Sequence, residues 1–299
     1  MNGTSGADSP PALALLLPLA SAMLYVIGAL LLRRAADFGV GFWRTTFVAN
    51  AICAVVYLCL LPLGGNFQPA LLWQPAVVAL LFMGGSLLNF LSLDKGDVSL
   101  ATPILGLKII LVAFFTAAIL GQLGTPRLWA AAALSTASIA LLNWTRTAHH
   151  HVTITILAAG ASAATFALFD VLVQRWCPAW GVGRFPPTML GFVALMGLGT
   201  IPRFPAPLKA VDGRAWPWLF SGSVILAVQS MMFVAAVGHF GNATAANVMY
   251  ASRGLWSVAA VWLIGHWFGN AERQQRAGIL RSRLIGAGLM MLAITLLRF

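Results

Sequence analysis

Residues 11 to 32 contain no charged side chain. A run of that length matches the roughly 20 residues with which an α-helix crosses a hydrocarbon core of about 30 Å, where every backbone amide must be satisfied within its own segment. The pattern recurs along the chain. Ten such segments can be read, at approximately 11–32, 40–62, 71–93, 99–121, 127–144, 152–174, 185–201, 216–238, 242–265 and 280–298. Only 8% of the 299 residues are charged, against about a quarter in an ordinary globular domain, so lipid must stand in for water over much of the surface. A soluble enzyme, a nucleic-acid binder and a disordered scaffold are thereby excluded. The expected fold class is all-α integral membrane, with ten transmembrane helices.

The breaks between segments carry turn chemistry: Leu-Pro-Leu-Gly-Gly-Asn at 61–66, Gly-Thr-Pro-Arg at 124–127 and the proline-rich stretch 201–207. Nine of the eleven tryptophans fall near proposed span ends, where an interfacial aromatic belt would place them. The first segment is preceded by no Lys or Arg and followed by Arg33-Arg34, so it reads as a retained helix rather than a signal peptide. The net charge of +11 reflects just seven carboxylates and is a matter of topology. Twelve cations flank the odd-numbered loops and four the even-numbered ones, so the positive-inside rule makes the odd loops cytoplasmic and both termini external. Cys53, Cys59 and Cys177 lack metal-type spacing and read as reduced packing residues.

Two stretches of the chain resemble one another. Residues 96–108 read GDVSLATPILGLK and residues 241–253 read GNATAANVMYASR, which aligns Asp97 with Asn242, Ser99 with Thr244 and Lys108 with Arg253. Arg34 with Arg175, and Arg44 with Arg184, fall at nearly the same offset. The domain expectation is a tail at 1–10, a first five-span repeat at 11–147, a linker at 148–151 and a second repeat at 152–299. An odd number of spans per repeat forces the halves into opposite orientations. That is the plan of many secondary transporters, whose substrate sites lie near the midplane between repeats.

Two five-span halves, the Gly-Asp-Val-Ser-Leu-Ala-Thr-Pro start of span 4, Gly121-Gln122 at its end and Leu-Ile-Gly-Ala-Gly in span 10 resemble the drug/metabolite transporter superfamily, in particular its EamA branch. The resemblance covers nearly the whole chain and implies a ten-helix carrier. Where EamA-like proteins often carry Gly-Glu, this chain has Gly121-Gln122 and Gly265-His266. The family habit of cytoplasmic termini also runs against the charge count.

Lys108 and Arg253 sit near the middle of their spans. The nearer membrane edge is roughly 14 to 16 Å away at 1.5 Å per residue, beyond the reach of about 6 to 7 Å of either side chain. Each therefore needs a polar cavity or a partner. Asp170 is the only acid inside a proposed span, lies near that span's end, and cannot neutralise both cations. Two cations facing one cavity repel each other, and a bound anion turns the repulsion into attraction, so an anionic or carboxylate-bearing substrate is expected. The resemblance agrees, since phosphate-ester carriers of the superfamily are expected to use basic residues in the corresponding spans.

Asn247, Tyr250, Arg253 and Trp256 recur every three residues, with Ser257 beside them, and form one polar and aromatic stripe on a helix, suited either to substrate or to helix packing. Asn50, Ser86, Asn89, Gln229 and Ser230 read as hydrogen-bonding links between helices, and Arg44 and Arg184 as helix-end markers. His149 to His151 read as solvated, and no metal or cofactor is expected.

An intramembrane enzyme would need a nucleophile with its base, a carboxylate pair or a metal cluster, and no such motif occurs. No Walker-type loop supports ATP drive. The sequence thus reads as a secondary transporter of a small anionic metabolite, with Lys108, Arg253, Tyr250, Asn247, Trp256 and Ser257 binding substrate and Asp170 as a possible coupling acid. A flippase for amphipathic or lipid-headgroup substrates, or a non-transporting membrane subunit, is the alternative. The expected partners are a small-molecule substrate and the lipid bilayer, with no nucleic acid, and the expected state is a monomer or homodimer in the plasma (inner) membrane.

Overall fold

The fold comes from a computed structural model, which describes residues 11–96, 98–142, 152–264 and 277–297. The proposed tail, the linker with His149 to His151, Asp97 and Gly265-His266 lie outside the described residues. Among the described residues there is no strand. The α-helices are α1 (Ala12–Ala36), α2 (Phe42–Tyr57), α3 (Trp73–Asp94), α4 (Val98–Gly106), α5 (Lys108–Leu120), α6 (Pro126–Leu142), α7 (Val152–Trp180), α8 (Phe185–Leu198), α9 (Trp216–Phe240), α10 (Ala243–Ala251), α11 (Arg253–Ile264) and α12 (Ala277–Leu296). Helix stands at each of the ten apolar segments where it is described. Among the described residues six helical segments are long and apolar enough to cross a membrane: Ala12–Ala36, Phe42–Leu63, Pro69–Asp94, Leu100–Leu120, Val152–Trp180 and Gly213–Phe240. Pro126–Leu142, Phe185–Leu198 and Ser282–Leu296 are shorter apolar helices.

Two helices are interrupted just before the residues that drew notice in the sequence. Between α4 and α5 the Leu107 N–H bonds Ile104 O at 3.0 Å, an i→i−3 contact, and Lys108 opens the next helix. Pro103, which removes a backbone donor from the preceding turn, contributes to this break. Between α10 and α11 the Ser252 N–H bonds Met249 O at 3.2 Å, the Leu255 N–H bonds Ser252 O at 2.8 Å, and Arg253 opens α11. Short 3₁₀ turns inside longer helices often mark functional positions.

The helices pack through small residues, as lipid-embedded helices do. Helix α1 lies along α9. A β-carbon at Gly28 would stand 2.8 Å from the Leu226 side chain and one at Gly222 would stand 2.9 Å from Leu32, so glycine sets the approach of both backbones. Helices α3 and α7 form a second close pair, α6 and α12 a third, α2 contacts α8 and α9, and α3 contacts α8. Helices α4 and α5 lean on α7, while α10 and α11 lean on α1. The main buried cluster joins Tyr57, Val78, Val171, Trp180, Phe185 and Met189, and the Trp180 indole N–H donates to Gln74 Oε1 at 3.0 Å. This packing sets α7 against α4 and α5 and brings it into contact with α10.

Candidate functional site

A cavity of about 300 Å³ opens where the two breaks face α1, α2, α7 and α9. Its wall carries seven aromatic rings, those of Tyr25, Tyr57, Phe82, Phe166, Phe169, Phe233 and Tyr250. The chain has three tyrosines, and all of them line this one cavity. Mean hydropathy and span position would leave such residues in lipid or at the interface, so their convergence marks a polar surface built inside the bundle.

The ionisable groups are arranged unequally. Lys108 Nζ lies 2.8 Å from Asp170 Oδ2, and the Asp170 side chain is only 1% exposed. The same oxygen accepts a hydrogen bond from Asn247 Nδ2 at 2.6 Å, and Asn247 also donates to Ala243 O at 2.9 Å. Thus α5, α7 and α10 meet at a single carboxylate oxygen. Lys108 also lies 5.8 Å from the Phe166 ring centre and 5.6 Å from that of Phe233. Arg253 forms no ion pair with a carboxylate among the described residues. Its guanidinium carbon lies 4.8 Å from the Tyr25 ring centre and 4.7 Å from that of Tyr250, an arrangement that stabilises the cation by ring quadrupoles while leaving its charge unneutralised. Among the described lining residues, one acid against two bases leaves one net positive charge.

A polar ring surrounds this pair. Gln229 Oε1 accepts from Ser21 Oγ at 2.9 Å and from the Tyr250 hydroxyl at 3.3 Å, and the Tyr57 hydroxyl donates to Ser230 Oγ at 3.1 Å. Asn89 Oδ1 is buried without a hydrogen-bond partner among the described residues, which leaves an acceptor for a ligand or for water.

Of the residues singled out in the sequence, Lys108, Arg253, Tyr250 and Asp170 converge on the cavity. Lys108 is not an unpaired cation. Helix α7 runs on to Trp180, past the span end read at 174, which sets Asp170 well inside the helix and level with the break at Leu107. Asn247 is buried behind the wall and orients Asp170 rather than lining the cavity. Trp256 and Ser257 are exposed and do not line it, and the Ser257 hydroxyl returns to Gly254 O at 2.8 Å. At about 100° per residue each three-residue step falls about 60° short of a full turn, so Trp256 stands about 180° round the helix from Asn247, while Ser257 stands about two helical turns beyond Tyr250. Gln229, Ser230 and Asn89, read as links between helices, line the cavity too. Tyr25, Tyr57, Phe166 and Phe233 were not anticipated. For Tyr25 the signal was its position well inside a proposed span, whereas Tyr57, the last residue of α2, offered none.

The fold is similar to that of a solved structure described as "Crystal structure of protein", with a TM-score of 0.67, 16% identity and 95% of each chain covered. At that identity the likeness concerns the fold alone. No protein-family model matches the chain, and no curated protein sequence does.

Proposed function

We propose that this chain is a secondary transporter of the EamA-like, drug/metabolite type, with ten transmembrane helices in two inverted five-helix repeats, moving a small organic anion across the plasma (inner) membrane through the cavity between the repeats. The repeat reading is supported by paired contacts. Helix α1 against α9 corresponds to α7 against α3, α2 against α9 corresponds to α8 against α3, and α10 and α11 against α1 correspond to α4 and α5 against α7. Lys108 and Arg253 each begin the second piece of an interrupted helix, matching their aligned positions in the two halves. Interrupted helices around a midplane site recur in carriers of this general design.

The observation that carries the anion reading is Arg253, a cation on the wall of an aromatic cavity, held by two tyrosine rings and paired with no described carboxylate. A cation kept at such depth costs about 2.5 to 3.5 kcal/mol on insertion scales, and a ligand carboxylate offsets that cost when it binds. The guanidinium presents several in-plane donors, more than the Tyr250 hydroxyl can take up, so a bidentate carboxylate contact suits it. Phenylalanine and tyrosine walls suit the apolar body of the ligand.

Reconstitution into proteoliposomes tests this. Radiolabelled organic anions, amines and zwitterions should be compared with fluorescent phospholipids, for the wild type and Arg253→Gln. Flux of anions that Arg253→Gln abolishes supports the proposal. Movement of labelled lipid without anion flux would instead make the protein a flippase.

A further inference from the structure

We infer that Asp170 sets the valence of the ligand: by committing Lys108, it leaves the cavity one free positive charge, so the site takes a monoanion and rejects dianions. This rests on the anion-transport reading and specifies its substrate class. The carboxylate is fixed from three helices, since Lys108 and Asn247 share its Oδ2 and Asn247 is itself tied to Ala243 O. At 1% exposure it has almost no water to replace either contact, so a ligand cannot take Lys108 away without leaving a buried carboxylate poorly satisfied. Arg253 remains without a carboxylate partner among the described residues, held by the Tyr25 and Tyr250 rings and by a hydrogen bond to the neutral Tyr250 hydroxyl. A first ligand carboxylate meets Arg253. A second meets a wall of aromatic rings and the fixed negative charge of Asp170.

The size of the effect follows from Coulomb's law. One unit charge acting at roughly 12 Å through an effective dielectric of about 20 changes an affinity about tenfold, and a closer approach changes it more.

Benzoate and phthalate share a ring and differ by one carboxylate, so they serve as probes for isothermal titration of the purified protein in detergent. The wild type should bind benzoate at least about tenfold more tightly than phthalate. Asp170→Asn should shift that ratio about tenfold or more toward phthalate, Asp170→Glu should keep it, and the charge-balanced pair Lys108→Gln with Asp170→Asn should restore it. A purely structural role for Asp170 would alter both affinities together and leave their ratio alone. Should Asp170→Asn fail to fold, Asn89→Lys adds a cation to the same wall without touching the Lys108 contact and should shift the ratio the same way. An unchanged ratio in the folded variants overturns the inference while leaving anion binding intact. Binding of neither probe by the wild type would overturn both the inference and the anion reading on which it stands.

Discussion

Removing one cation at a time should separate the two bases by stability as sharply as by activity. Lys108→Gln strips the partner from a carboxylate that is 1% exposed and leaves it a single side-chain donor, Asn247. Breaking a buried pair on one side typically costs about 3 to 5 kcal/mol. Arg253→Gln loses two ring contacts, each worth roughly 0.5 to 2 kcal/mol, but also relieves an unneutralised charge costing about 2.5 to 3.5 kcal/mol. Those contributions nearly cancel. The double variant Lys108→Gln with Asp170→Asn removes the charges together and should return to within about 1 kcal/mol of wild type, because replacing both members leaves no unpaired ion. Thermal unfolding followed by size-exclusion fluorescence in detergent should place Lys108→Gln roughly 5 to 10 °C below wild type, with Arg253→Gln close to it. Equal melting of wild type and Lys108→Gln, or an Arg253→Gln protein as fragile as Lys108→Gln, would refute the assignment of Asp170 to Lys108.

Further outcomes follow from the same geometry. Arg253→Lys keeps the charge but not the planar fork, so it should lose most transport if the ligand carboxylate is held bidentately, and retain a substantial part if charge alone matters. Cys53 lines the cavity whereas Cys177 is buried, so a transported anion should slow labelling of Cys53 by a membrane-permeant maleimide, and a rate independent of the anion would place its site elsewhere. Because Asp170 is engaged by Lys108, flux should proceed by facilitated diffusion or exchange and should survive a proton uncoupler; collapse of concentrative flux with uncoupler, and its loss in a folded Asp170→Asn variant, would show proton drive. Alkaline phosphatase fused after Phe299 should be active if the charge count governs topology, and a fluorescent, phosphatase-negative fusion would put that end in the cytoplasm.

The apolar runs were legible because lipid permits few alternatives: the backbone must satisfy itself, and charge must leave the span or find a partner. Lys108 and Arg253 stood out for that reason. Pro103 announced the break in its helix, but nothing in Met249-Tyr250-Ala251-Ser252 does so, and the stripe failed at Trp256 because three-residue steps drift round an α-helix. Asp170 was misjudged because pairing between distant helices depends on how far each helix runs and at what level they cross. Hydropathy fixes neither. The tyrosines offered a sign that composition obscured, since three in a chain this apolar are few and Tyr25 and Tyr250 lie well inside their spans. Their convergence with Arg253 needed the packing of α1 on α9 and on α10, a contact between the two halves that no local pattern encodes.

The central claim, that Arg253 holds the carboxylate of a ligand seated among aromatic rings, is tested most directly by a crystal structure with 4-bromobenzoate, read by the anomalous signal of bromine. Soaking should be done at a concentration shown to inhibit flux in vesicles. The account places the carboxylate on the Arg253 guanidinium edge and the bromine between Phe166 and Phe233, with the Lys108 to Asp170 contact intact. Bromine density outside this cavity, or a carboxylate on Lys108 with Asp170 displaced, would contradict it.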